Sequence, residues 1–64
     1  MRCLVIDSVV IDTNIVEDGD YLIGDGAIYD KKLIQSYTLE QLDVPKKAES
    51  GEYKIVGNKL RKNK

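Results

Sequence analysis

The segment DKKLIQSYTLEQL, Asp30–Leu42, decides the fold class, because it carries two incompatible periodicities. On a helical wheel Leu33, Ile34 and Tyr37 fall on one side, with Leu42 at its edge. Asp30 suits the N-cap, since its carboxylate can reach free N–H groups two or three residues on. Asp43 and Val44-Pro45 would end the helix, the residue before proline being pushed out of the α region. With period two, the same stretch is a strand through residues 33–39, and Leu33, Tyr37 and Leu39 alternate onto one face. Glu40-Gln41-Leu42 favours the helix, whereas Leu39 would sit on its polar side. We read a helix over about 31–42.

Hairpins flank this segment. In GDYLIGDGAIYD (Gly19–Asp30) the pair Asp25-Gly26 suits a type I′ turn, which sets Ile23 opposite Ile28 with Tyr21 on the same face. In GEYKIVGNKLRK (Gly51–Lys62) the pair Gly57-Asn58 suits a type II′ turn, which sets Ile55 opposite Leu60 with Tyr53 on that face. Residues 2–11 are β-rich. As one strand they place Cys3, Val5, Val9 and Ile11 on one side, and Asp7-Ser8 is open to a bend or bulge. Asp12-Thr13-Asn14 and Glu17-Asp18-Gly19 carry turn chemistry. Residues 46–51 form a polar connector expected to be mobile, and 61–64 are expected to fray. The whole chain, 1–64, then makes a single α+β domain: a mostly antiparallel sheet built from the N-terminal strand and two hairpins, with the helix packed on it. The expected core is Val5, Val9, Ile11, Tyr21, Ile23, Ile28, Leu33, Ile34, Tyr37, Ile55 and Leu60.

A chain of 64 residues buries only about 60% of the surface its unfolded form exposes, so its core is thin. Cys3 is the single cysteine and there is no histidine, which excludes a disulfide and removes the usual zinc ligands. Cys3 itself reads as a small buried hydrophobe. Self-association is the remaining aid to stability. No stretch resembles a signal peptide or approaches the ~20 apolar residues of a membrane span, so a soluble, cytoplasmic protein without membrane contact is expected.

Charge is divided along the sequence. Residues 1–30 carry seven acids and one base, and residues 31–64 carry nine bases and four acids. Without histidine there is no imidazole base and no histidine-activated nucleophile. No phosphate-binding glycine loop is present. Asp18, Asp20 and Asp25 alternate with glycines, but Val16 falls where a calcium loop needs an oxygen ligand. The expectation is therefore no enzyme, no cofactor and no metal.

Two surfaces remain as candidates. In the second hairpin Lys54, Lys59 and Arg61 project from one face, and Lys62 and Lys64 extend it. Such a face could track a nucleic-acid backbone, although a lysine-rich terminal strand also protects a sheet edge from aggregation. In the first hairpin, Leu22, Ala27 and Tyr29 form a second apolar face, opposite Ile23 and Ile28. Leu22 and Tyr29 are accordingly expected at a homodimer interface, with the acidic half of one copy steered toward the basic half of another.

Asp20-Tyr21, Ile23, Gly26, Ile28, Tyr37 and Glu40-Gln41-Leu42 together resemble the small YqaI-type proteins of bacterial prophage-like elements. The resemblance covers about a third of the chain and leaves out the N-terminal strand and the second hairpin. Related small phage proteins bracket the hairpin with cysteine pairs, which are absent here. The resemblance implies a mobile-element origin, an α+β fold and a dimer, and it implies no activity. The expected function is a non-enzymatic binding or regulatory protein, phage or mobile-element encoded, that acts by contact with an unidentified protein. The alternatives are a nucleic-acid-binding module using the basic hairpin, and an acidic mimic of nucleic acid that inhibits a host defence enzyme.

Overall fold

Cys3, Leu4 and Val5 are consecutive and all buried, which requires a strand covered on both faces. That strand is the centre of the molecule. The computed structural model describes residues 1–63 as β1 (Arg2–Ile6), β2 (Val9–Asp12), β3 (Val16–Asp18), β4 (Tyr21–Ile23), β5 (Ile28–Asp30), β6 (Thr38–Gln41), β7 (Tyr53–Val56) and β8 (Lys59–Lys62). They form a five-stranded sheet in the order β6-β1-β2-β7-β8 and a three-stranded sheet β3-β4-β5. Every pairing is antiparallel.

Residues 2–11 are thus a hairpin and not one strand. Asp7 and Ser8 lie at φ 51° and 66°, the left-handed pair of a type I′ turn, so Ile6 faces Val9 and Val5 faces Val10. The register then slips, Leu4 pairing with Asp12, and this bulge carries Asp12 toward the second sheet. Gly57 and Asn58 lie at φ 55° and 64°, so the β7–β8 turn is type I′ where the sequence indicated type II′. The register expected there, Ile55 opposite Leu60, is the one observed.

The α+β class is overturned: the described residues contain no helix, and therefore none long and apolar enough to cross a membrane. Asp30 does act as a cap, but of a turn. Its side chain accepts the Lys32 N–H at 2.9 Å and its carbonyl accepts the Leu33 N–H at 3.0 Å. Residues 38–41 then extend along β1, with Leu39 opposite Leu4 and Thr38 opposite Val5. A twelve-residue helix is marginal in isolation, and Ser36-Tyr37-Thr38 are middling helix formers. β1 gains a hydrogen-bonded neighbour on its open side, and Leu39 gains an apolar partner. Leu33, expected in the core, is 82% exposed.

Two cores result. One gathers Cys3, Val5, Val10 and Val44, with Tyr53, Ile55 and Leu60 packed on it. The other gathers Leu4, Ile15 and Leu22, with Ile11, Tyr29, Ile34, Tyr37 and Leu39 packed on it. Tyr21, Ile23 and Ile28, all expected inside, are exposed. The first hairpin has the expected register, but Asp25 and Gly26 lack the positive φ of the expected type I′ turn, and the hairpin turns its other face inward. The connector at 46–51 is tied by Ala48 N–H to the Pro45 carbonyl and by Gly51 N–H to the Val10 carbonyl. Arg61 and Lys62 are paired in β8, and Asn63 N–H donates to the Glu52 carbonyl at 2.8 Å, so the expected fraying does not apply to them. Lys64 lies outside the described residues.

Candidate interaction surfaces

Asp12, at the end of β2, sets the position of the small sheet. It is 9% exposed. One carboxylate oxygen accepts the Thr13 N–H at 2.7 Å. The other accepts the Gly26 and Ala27 N–H groups at 3.0 and 3.2 Å and the Tyr29 hydroxyl at 2.8 Å, and the Gly26 N–H is shared with the first oxygen at 3.2 Å. These are charge-assisted bonds, and they clamp the β4–β5 turn against the large sheet. Gly24 is required beside them, because a Cβ there would overlap the Asp12 carboxylate and come within 2.9 Å of Ile15 Cδ1. Asp25 adds a rim outside the clamp, accepting from Thr13 Oγ1 at 3.0 Å and from Asn14 Nδ2 at 2.6 Å. Burial, and then the bond to Asp12, push the Tyr29 phenol up to about 12.

The clamp fixes which face of β3–β5 is open. Glu17, Leu22 and Tyr29 share the inward row. Leu22 is fully buried, and Glu17 at the edge accepts from Arg2 at 2.6 Å and from Lys31 at 3.0 Å. Hydrogen bonds from Lys31 and then Arg2 hold the Glu17 carboxyl below its ordinary value. Leu22 and Tyr29, expected at a dimer interface, therefore line the chain's own core. The outward rows are Val16–Ile23–Ile28 and Asp18–Tyr21–Asp30. Val16 is 60% exposed, Ile28 68% and Tyr21 50%. A contiguous apolar row bordered by two carboxylates thus faces solvent. Alternation puts Ile23 opposite Ile28, but the sequence reading turns that face inward and gives Glu17-Asp18-Gly19 as a turn, where the structure has the end of a third strand that adds Val16 to the row.

The second surface is the outer face of β7–β8. Lys54 pairs with Arg61, and Val56 with Lys59, so the three bases share a face as expected. Lys62 lies on the opposite side, across from Tyr53, and its ammonium is 3.7 Å from Glu52. The row continues through Val9, opposite Lys54, to Ile6. Ile6 and Val9 are half-buried and belong to neither core.

A cleft of about 510 Å³ runs between the end of β2, the β4–β5 turn and residues 44–50. Its buried carboxylate, Asp12, already has its oxygens committed to the clamp. Among the described residues no buried side-chain nitrogen or oxygen lacks a partner, and no group of three His, Cys, Asp or Glu side chains is disposed to hold a metal ion. No family model, curated protein or solved structure matches the chain.

Proposed function

We propose that this chain is a non-enzymatic binding protein that works by protein–protein contact, with the open face of β3–β5 as its docking surface. The observation that carries this reading is the Val16–Ile23–Ile28 row, left in solvent while the opposite face of the same thin sheet is packed to full burial at Leu22. Contiguous open apolar faces on small domains commonly serve binding. A cytoplasmic setting and a mobile-element origin belong to the same proposal. The first is supported by the free, buried thiol of Cys3, and the second rests on the YqaI-type residue pattern at 20–42 alone, the helix that pattern implies being absent.

Affinity capture from source-cell lysate tests the reading with two surface variants. Ile28→Lys should abolish capture of a partner that the unmodified chain and a Lys54→Glu/Arg61→Glu variant both retain. Capture insensitive to Ile28→Lys would refute it. The cross-strand pair Lys54–Arg61, with Lys59 beside it, supports a second reading as a nucleic-acid-binding face. In that case binding to DNA or RNA should weaken steeply with salt, and each lost phosphate contact should reduce the log–log slope by about one. Absence of binding at low salt would remove this reading.

A further inference from the structure

We propose that the open β3–β5 face and the outer β7–β8 face are the two halves of one head-to-tail contact between copies of this chain. The inference rests on the reading of β3–β5 as a protein-docking surface and names what docks there. The two faces are complementary in charge. On the first, Val16, Tyr21, Ile23 and Ile28 are interleaved with Asp18 and Asp30 and with no base in the strands. On the second, Ile6, Val9 and Val56 are interleaved with Lys54, Lys59 and Arg61 and with no acid in β7 or β8.

Two of the nearby opposite charges are engaged elsewhere, whereas Lys32 beside the first face and Asp7 beside the second are exposed and form no ion pair among the described residues. Lys31 bonds Glu17 on the inward side of the small sheet, and Lys62 approaches Glu52 on the other side of β7–β8. Among the described residues Lys54, Lys59 and Arg61 form no ion pair.

Symmetry follows from the signs. A two-fold contact through the β3–β5 face would set Asp18 and Asp30 of one copy against those of the other, and a two-fold contact through β7–β8 would oppose three cations to three cations. Only the acid-rimmed face on the basic face joins opposite charges. Made once between two copies, the contact is heterologous and closes as a ring or continues as a chain, whereas made twice about a two-fold axis it closes as a dimer. The spacing also fits. Strands lie about 4.8 Å apart, so Asp18 and Asp30 flank Tyr21 at roughly 10 Å from each other across three strands. That gap admits one guanidinium, that of Arg61, over the Tyr21 ring between two carboxylates. Each face is about 14 Å by 10 Å, well under the roughly 800 Å² per partner of a standard interface. Association is therefore weak and depends on concentration.

Sedimentation of the full chain and a mixing experiment test this. The unmodified chain should show masses that grow past the dimer with concentration, with association weakened about tenfold or more between low and 0.5 M salt. Ile28→Lys removes the acceptor face, and Lys54→Glu/Arg61→Glu removes the basic one. Each variant alone should sediment as a monomer. An equimolar mixture should form a species of two copies and stop there, because each variant retains the face that the other lacks. Circular dichroism of each variant confirms folding, and Ile28→Ser replaces Ile28→Lys if that variant does not fold. A monomer at all concentrations would overturn head-to-tail association while leaving lysate capture through Ile28 intact. Association by either variant alone, a mixture that stays monomeric, or an unmodified chain that stops at the dimer, would also overturn it.

Discussion

Replacing Asp12 by Asn keeps the volume of the side chain and removes its charge, which isolates the clamp between the two sheets. The carboxylate accepts from Thr13 N–H on one oxygen and from Gly26 N–H, Ala27 N–H and the Tyr29 hydroxyl on the other. An amide can satisfy only one of these sets. With its oxygen toward Gly26, Ala27 and Tyr29, its NH₂ meets the Thr13 N–H; flipped, its NH₂ meets the Ala27 N–H. Either way a donor near the core loses its acceptor, at a cost of about 1–3 kcal/mol, and the surviving bonds become neutral. A total loss of about 2–4 kcal/mol is expected. A chain of this length has about 3–10 kcal/mol of stability in all. With a urea slope near 1 kcal/mol/M, the low end for small proteins, the midpoint should fall by about 2–4 M. Circular dichroism in a urea titration reads it. Tyr29→Phe alone should cost about 1.5 kcal/mol, and the cycle with Asp12→Asn should show a coupling of at least about 0.5 kcal/mol. An Asp12→Asn midpoint within error of the unmodified chain would refute the clamp and leave Leu22 alone holding the hairpin.

Gly24→Ala should cost about 1–3 kcal/mol by overpacking, because the new methyl would lie 2.6 Å from Asp12 Cγ and 2.9 Å from Ile15 Cδ1; an unchanged urea midpoint would contradict the close approach. Cys3 should resist disulfide reagents in the folded chain and react at once in urea, since burial removes access and raises the thiol above its ordinary value; fast labelling without denaturant would count against β1 as the central strand. In an alkaline titration followed by tyrosinate absorbance, one tyrosine should ionise late, at about 12. The folded state favours the neutral phenol there, so the stability due to Tyr29 is complete below its ordinary pKa of about 10 and is lost as pH rises through about 12. Tyr29→Phe should delete the late step, and its persistence would assign the shift to another tyrosine.

Turn position and alternation made the hairpin registers legible, Ile23 opposite Ile28 and Ile55 opposite Leu60, although neither turn has the type its residues indicated. The central segment was not legible, because its helical wheel is a property of residues 33–42 alone, whereas its structure answers a need of β1. A buried central strand must also pair the backbone N–H and C=O groups along its second edge, and residues 38–41 do so, with Leu39 facing Leu4. Nothing within 30–42 encodes that requirement. Val44 was read as a helix terminator and is a core residue. Asp12 was read as a turn residue, and its role depends on backbone N–H groups fourteen and fifteen positions away.

The orientation of the first hairpin follows from its acids once β3 is in place beside β4. Period two fixes which residues share a face without saying which face turns inward. Apolar content alone would choose the wrong face, since Val16, Tyr21, Ile23 and Ile28 on the open side outnumber Leu22 and Tyr29 on the packed one. The acids decide it. Asp18 and Asp30 share a row with Tyr21, and turning that face inward would carry both carboxylates against Leu4 and Ile15, at several kcal/mol each. The opposite row carries one acid, Glu17, at the sheet edge, where Arg2 and Lys31 can reach it, and its tyrosine finds the Asp12 carboxylate. The hairpin therefore packs by its less charged face, and Val16, Ile23 and Ile28 are left in water because they share strands with acids that must stay there. An apolar row held open in this way combines desolvatable area with a single sign of charge, the two ingredients on which the proposed contact with a basic surface rests.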